Sequence, residues 1–426
     1  MQLQLKNGTL LLYENGAFRT EQTDLYIKDS LIAGIGNAPE GASGYETVDM
    51  TDRLIMPGLI NMHTHVYMSA MRNLADDVDF DEWLFKRVMP VEERLSHEDA
   101  YWCNLLGMME MISTGTTCYL DMQMFHEQSC KAANTAGMRA FIGRGLVGDD
   151  LYADDNPRFR EAIEEMERYR SDTLSFVLTP HAPYTGSVKL FEQINEEARK
   201  RGLLKQTHLS ESVNEVENIL KEHGKTPVAL LRDIGFLDEN TSLAHCVQMR
   251  DNDIDILRET GATVVTNPAS NMKLGHGVAP IEEMRQAGVN VALGTDGTSS
   301  NNTLNMFREM TLLSMTQKGV RKSSVAAPAS IALETATVNA AKALHLDGKT
   351  GVIKEGAYAD LAVLDLNAVS LFPPNDIVSS LVYSANGLET ESVMIHGKWV
   401  YRNREFTGID AEQVRAEVRR VVRERF

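Results

Sequence analysis

The sequence predicts an α/β protein: a (β/α)8 barrel in the middle of the chain and a small β-sandwich domain formed by its two ends. Three observations predict it. Both ends are β-like, the middle holds eight short apolar or β-branched runs, and helix-period stretches separate most of those runs. Continuous apolar strands alternating with amphipathic helices indicate a parallel sheet covered on both faces. Eight such units favour a closed barrel over an open doubly wound sheet.

The N-terminal segment reads LQLKNGTLLLY, a turn at Asn-Gly or Glu-Asn-Gly, then DLYIKDSLIAGIG, which are strands separated by turns. The eight central runs are LIMPGLINMHTHV, TGTTCYLDM, MRAFIGRGLV, LSFVLTPHAP, LLKQTHLSES, TSLAHCVQM, ATVVTNPASN and NVALGTDGTS. Stretches such as HEDAYWCNLLGMMEMI, SVKLFEQINEEARKRG and NNTLNMFREMTLLSMT carry the helical period between them. The C-terminal segments GVIKEGAYADLAVLDL and ESVMIHGKWVYRNREF return to short, glycine-punctuated strands. The expected division is therefore 1–56 with 347–426 as a composite β domain that includes a C-terminal helix, and 57–346 as the barrel.

A chain of 426 residues that is 43% hydrophobic can bury a large core. Its formal charge of −18 argues against nucleic acid or an anionic membrane as partner, because both require a basic face. Small neutral or zwitterionic substrates remain open. Cys103, Cys118, Cys130 and Cys246 form no CxxC pair, which fits buried thiols in a reducing compartment. The start has no charged region ahead of an apolar run, and no window approaches 18 uninterrupted apolar residues. A cytoplasmic enzyme is expected. No GxGxxG or GxxxxGK[ST] follows the first barrel run, so a nucleotide-cofactor reading lacks its main support.

The polar residues that carry chemistry fall where the strands end. His63 and His65 lie two apart in NMHTH, so both imidazoles can face one ion. His181, His208, His245 and Asp296 end the fourth, fifth, sixth and eighth runs. In a barrel those ends converge on one face, where active sites are built. A lone strand-end histidine is more often a hydrogen-bonded core group. Here, however, four of the eight ends carry histidine, whereas His97, His126, His223, His345 and His396 fall on helices, loops or the terminal β region. The constellation reads as a metal site. Imidazole plus carboxylate suits Zn2+, with Fe2+ as a common substitute. Two-metal barrels usually bridge their ions with a modified lysine, and MRAFIGRGLV and LSFVLTPHAP contain none, so one ion per chain is expected. Glu211, three residues after His208 in HLSE, leaves the strand and can reach past the ligands toward a substrate; the bland alternative is an exposed helix-start glutamate. Arg144 ends the third run and reads either as a surface ion-pair partner or as a cation facing the pocket, with Arg158 and Arg160 in the next loop adding to it. Trp83, Leu84, Val88, Val91 and Leu95 recur at helical spacing and read mostly as a packing face near the barrel mouth.

PGLINMHTHVYMSAMRNLADD, HAPYT, THLSES, SLAHCVQM, TNPASNMKLGHGVAP and LGTDGTSSNNTLNMF, in that order and spacing, resemble the amidohydrolase superfamily over almost the whole chain. The likeness is strongest to the 5-methylthioadenosine/S-adenosylhomocysteine deaminases, with triazine hydrolases and other aminohydrolases as neighbours. It implies a distorted TIM barrel and one zinc held by His63, His65, His208 and Asp296. It also implies Glu211 as proton donor to N1 of an adenine ring, and His245 with Asp296 as the groups that orient and deprotonate the attacking water. Glu92 matches the position that holds ribose hydroxyls, Arg144 and His181 match positions facing the sugar side or the tail, and Ser300 stands near the metal loop. The implied reaction is hydrolytic deamination of methylthioadenosine, S-adenosylhomocysteine or adenosine, by a homo-oligomer. Two loops depart from the pattern: His276 replaces a small residue, and MQMF follows Asp121. The rival readings are an aminohydrolase or chlorohydrolase acting on guanine, cytosine-like rings or triazines, a two-metal cyclic amide hydrolase, and a non-catalytic zinc-binding scaffold. A nucleic-acid deaminase of the HxE…PCxxC type is excluded because that signature is absent.

Overall fold

The computed structural model describes residues 2–250 and 252–426; Met1, the first residue of the N-terminal segment, lies outside them. Five strands open the chain: β1 (Gln2–Glu14), β2 (Ala17–Lys28), β3 (Leu31–Ile35), β4 (Glu46–Asp49) and β5 (Arg53–Pro57). The hairpin between β1 and β2 turns at Asn15 and Gly16, whose φ angles of 52° and 79° are those of a type I′ turn. The other Asn-Gly, at 7–8, is no turn. β1 runs through it with a shift in register between Leu5 and Gly8, and a Cβ on Gly8 would stand 2.8 Å from Ile55 Cδ1.

Eight parallel strands follow: β6 (Leu59–Thr64), β7 (Thr116–Gln123), β8 (Arg139–Leu146), β9 (Leu174–Pro180), β10 (Leu204–Leu209), β11 (Thr241–His245), β12 (Thr263–Thr266) and β13 (Val291–Leu293). They pair strictly in sequence order, and helices fill the intervals as the periodicity predicts. His97–Ser113 starts on a Ser96–Asp99 capping box; Val188–Arg201 starts on the Ser187 hydroxyl and ends on Gly202 at φ 64°. The barrel is uneven. β9 meets β10 through only two residue pairs, and the ring closes beyond β13, where Thr295 N–H and Asp296 N–H both donate to His63 O at 3.1 and 2.9 Å. That closure fixes Asp296 to the backbone of His63.

The chain returns to the first sheet as β14 (Leu361–Asp365), β15 (Thr390–Ile395), β16 (Lys398–Arg402) and β17 (Glu405–Phe406). β14 pairs antiparallel with β5, joining the two ends of the chain in one nine-stranded sheet. The sheet folds around its own core, in which Leu10, Leu25 and Ile27 of the first hairpin meet Leu361, Val363 and Met394. Arg139, at the start of β8, bonds through Nε to Asp360 Oδ2 at 2.7 Å and ties the barrel to this sheet. The C-terminal helix Ala411–Arg425 packs on the barrel helix His97–Ser113, with Arg425 Nε 2.7 Å from Asp99 Oδ2. Among the described residues no helix is long and apolar enough to cross a membrane. All four cysteines are buried and free.

Candidate active site

The strand ends bring five candidate groups together. One ligand atom from each of His63, His208, His245 and Asp296 lies within 4.8 Å of the others. His65 joins them just past the end of β6, where the register against β7 shifts between Asn61 and Thr64. Its Nε2 is 3.3 Å from Asp296 Oδ1 and 3.3 Å from His208 Nε2. His63 Nε2 is 3.5 Å from the same Asp296 oxygen.

Hydrogen bonding decides what these nitrogens are. His65 Nδ1 faces the Met122 carbonyl at 2.8 Å, and His208 Nδ1 faces the His181 carbonyl at 2.7 Å. A carbonyl only accepts, so both Nδ1 atoms carry the proton. Burial lowers the pKa of both rings, His208 far below the usual value, and keeps them neutral. Their Nε2 lone pairs therefore point at each other, an arrangement that only a cation between them makes favourable. His63 repeats the pattern. Its Nδ1 donates to Gln206 Oε1 at 2.8 Å, while its buried Nε2 has no hydrogen-bond partner among the described residues. The Gln206 amide is fixed by donating to Met62 O at 2.8 Å and Ser242 Oγ at 3.0 Å, so its oxygen faces His63. His245 Nδ1 stands 2.8 Å from Asn271 Oδ1. Imidazoles held through one nitrogen with the other left bare are the usual support of a metal centre.

The spacing tests the fit. Ligands about 2.0–2.1 Å from a tetrahedral zinc ion lie about 3.4 Å from one another. The three separations given above for His63, His65, His208 and Asp296 are 3.3–3.5 Å. The donor set therefore fits a divalent metal ion of zinc's size.

Asp296, at φ 62° in the loop after β13, keeps its Oδ1 toward the imidazoles. Its Oδ2 accepts from Ser270 Oγ at 2.7 Å and Ser300 Oγ at 2.8 Å. Burial alone would raise its pKa, but the neighbouring His63, then His65 and His245, hold it well below the ordinary carboxylate value. The loop approaches β6 so closely that a Cβ on Gly294 would stand 2.8 Å from His63 N; only glycine fits there. Glu211 is buried rather than an exposed helix-start residue. Its N–H donates to Glu215 Oε2 at 2.8 Å, which turns the chain after β10. Its Oε1 lies 3.8 Å from His245 Nε2 and 3.3 Å from His276 Nε2. Against the upward push of burial, His245 and then His276 keep its pKa below the usual value.

Of the remaining predicted residues, His181 touches this centre through His208. His181 is half-buried at the end of β9, with Nδ1 2.9 Å from Thr185 Oγ1, its ring centroid 4.8 Å from that of His208, and its pKa lowered to about 4 by burial first and neighbouring His65 next. Glu92 is half-buried and accepts from Tyr67 OH at 2.5 Å; burial raises its pKa and that hydrogen bond opposes the rise. Arg144, two residues before the end of β8, is half-buried and 3.6 Å from Glu161 Oε2. Arg158 does not lie in a loop: it begins the helix Arg158–Tyr169 and donates to Gly145 O at 3.0 Å, whereas Arg160 is exposed on that helix. Trp83, Val88, Val91 and Leu95 pack together as expected, and Trp83 Nε1 donates to Ser299 O at 3.1 Å, seating this segment on the metal loop.

Sequence reading missed Gln206, Asn271, Ser270 and Tyr67. For Gln206 a signal existed. It precedes His208 by two in KQTHL, so strand alternation puts both on one face. Ser270 and Asn271 lie on the short helix Pro268–Lys273, and nothing local marks them as supports of Asp296 and His245.

A model of the amidohydrolase family matches residues 54–400. A protein of Thermoanaerobacter pseudethanolicus named 5-methylthioadenosine/S-adenosylhomocysteine deaminase is 38% identical over 417 residues, 97% of this chain and 97% of its own. A protein of Thermococcus sibiricus with the same name is 42% identical over 406 residues, 94% of each chain. The crystal structure of an adenosine deaminase from Xanthomonas campestris with bound zinc superposes with a TM-score of 0.93 at 30% identity, covering 99% of this chain and 98% of that one.

Proposed function

The chain belongs to the amidohydrolase family, and from that premise we propose that it removes the 6-amino group of the adenine ring in 5′-methylthioadenosine, S-adenosylhomocysteine and adenosine. Water enters, ammonia leaves, and the product is the inosine analogue. The observation that carries this reading is the convergence of bare imidazole nitrogens and one carboxylate beside a buried glutamate. Relatives at 38–42% identity over nearly their full length carry that activity in their names.

His63, His65, His208 and Asp296 would hold one zinc ion per chain; iron(II), which the same donors accept, is the substitute that metal analysis distinguishes. When bound, the ion supplies a Lewis acid that brings the pKa of water to about 7. The chain's own groups do the rest. Asp296 and His245 orient the attacking water and take its proton as it adds to C6. Glu211 gives a proton to N1, which localises the ring electrons and opens C6 to attack. The proton taken from water then passes to the amino group; as the C6 hydroxyl returns its own proton to Glu211, the carbonyl forms, the C–N bond breaks and ammonia departs. Glu92, held by Tyr67, receives the ribose hydroxyls. His181 and Arg144 face the sugar and tail, and Arg144 suits the homocysteine carboxylate. Ser300, with Ser270, holds the Asp296 oxygen that faces away from the imidazoles. The chain acts as a cytoplasmic homo-oligomer.

The test is ammonia release and the ultraviolet shift of adenosine-type substrates, measured beside guanine, cytosine and melamine-like triazines. Conversion of the adenine nucleosides at kcat/KM at least tenfold above the other rings is expected. Preferential turnover of guanine or a triazine would replace this reading with the corresponding aminohydrolase.

A further inference from the structure

His276 has no part in the reaction above, yet it stands against the residue that gives the proton. Its Nε2 is buried, 3.3 Å from Glu211 Oε1 but off the line of a hydrogen bond. His245 Nε2 approaches the same oxygen at 3.8 Å, so two imidazoles address Oε1. The backbone of His276 is pinned. Its N–H donates to Asn271 O at 2.9 Å, and its carbonyl accepts from Gln248 Nε2 at 2.6 Å. Asn271 is also the partner of His245 Nδ1, so both imidazoles hang from one helix end. Glycines 275 and 277, at φ 73° and 107°, let the chain make this excursion. On its outer side the ring meets Phe80 at 5.1 Å between centroids and 67° between planes. Phe80 stacks on Trp83, whose indole is seated on Ser299 O.

We propose that His276 is a positioning residue for Glu211. A small turn of the ring from its present 3.3 Å contact brings its Nε2–H onto Oε1, so that Oε2 is the oxygen offered to the ring nitrogen, and Phe80 holds the imidazole in that pose when the covering segment is seated. His276 neither gives nor takes a proton in the reaction. Without the clamp, Glu211 samples rotamers that face away from substrate, which lowers the rate more than the affinity, because an interaction realised in the transition state is lost. The inference rests on the reading of Glu211 as proton donor.

The test compares His276→Ala and His276→Gln with the wild type, each with measured metal content, on the best adenine nucleoside. The amide of glutamine restores a donor at nearly the reach of Nε2. Expected for His276→Ala are a kcat lower by about 10–100-fold, a KM within about threefold, and unchanged metal, with His276→Gln recovering most of the rate. A kcat within twofold of wild type in His276→Ala, or equal impairment of both variants, would overturn the clamp. Crystal structures of the zinc-loaded variants give a readout that needs no substrate: Glu211 should swing away in His276→Ala and stay in His276→Gln. A displaced Glu211 in a protein that deaminates no adenine nucleoside leaves the clamp standing and removes the deaminase reading. An undisplaced Glu211 in an active enzyme does the reverse.

Discussion

Replacing Gln206 with Leu should weaken the metal centre without touching any ligand. The change keeps the volume of the side chain but deletes three hydrogen bonds: the one Gln206 Oε1 accepts from His63 Nδ1 at 2.8 Å, and those donated to Met62 O and Ser242 Oγ. All the atoms involved are buried, so nothing replaces the lost partners. Each stranded buried group costs about 1–3 kcal/mol. The cost falls in two places. Met62 O and Ser242 lose partners in the metal-free and metal-loaded protein alike, so both lose stability. His63 loses the acceptor that fixes its tautomer, which bears on metal binding alone, and loss of such a partner typically reduces affinity 10–100-fold. Metal-loaded protein should therefore lose about 1.4–2.7 kcal/mol more stability than metal-free protein, the free-energy equivalent of that factor. Thermal unfolding with and without zinc, paired with competition against a chelator, measures both parts. Gln206→Glu sharpens the test, since a carboxylate accepts from His63 but cannot donate to Met62 O. It should keep metal affinity while losing stability. Equal losses with and without metal, at unchanged affinity, would refute the reasoning.

Glu211→Gln should retain its metal and lose about 10²–10⁴-fold in turnover, the range of general acid–base assistance, as read by ammonia release beside metal analysis; substantial metal loss with activity intact would reassign the residue. Asp360→Asn strands Arg139, whose guanidinium is almost fully buried and bonded to Asp360 through two nitrogens. A cost of about 3–5 kcal/mol in denaturant unfolding is expected, with specific activity of the folded fraction unchanged; a cost under about 1 kcal/mol would show the pair to be dispensable. Glu309, buried against Ala269 N–H at 3.0 Å and Asn301 Nδ2 at 2.9 Å, has its pKa raised by burial from 4.5 to about 7. A raised folded value means that the native state holds a proton the unfolded chain has lost, so stability is full below pH 4.5 and falls as pH rises to about 7. At about 1.4 kcal/mol per unit, the window is worth roughly 3 kcal/mol. In metal-free protein the advantage of wild type over Glu309→Gln should shrink across that window; a constant difference would contradict it.

Much of the barrel was legible because its strands are buried on both faces and read as apolar runs, while caps such as Ser96, Ser187 and Gly202 punctuate the helices. The histidines were legible for the same reason: each ends a recognisable strand, and barrel topology then supplies the convergence. Local chemistry hid the rest. Asn7-Gly8 carries a hairpin signal, yet the ladder absorbs it as a bulge because the β1–β2 turn is made at Asn15-Gly16. Arg158 looked like a loop cation, and its helix start becomes visible only once Pro157 is seen to precede it. Ser270, Asn271 and Tyr67 act through contacts between segments distant in sequence, where period and composition are silent. His276 stood out as a departure from the family pattern, in which a small residue is usual; its approach to Glu211 came from the structure alone.

Anomalous diffraction at the zinc edge from crystals of the metal-loaded protein tests the core of the account most directly. One peak is predicted per chain, about 2.0–2.2 Å from Nε2 of His63, His65 and His208 and from Oδ1 of Asp296. A second ion in the barrel, or a peak held by other side chains, would contradict it.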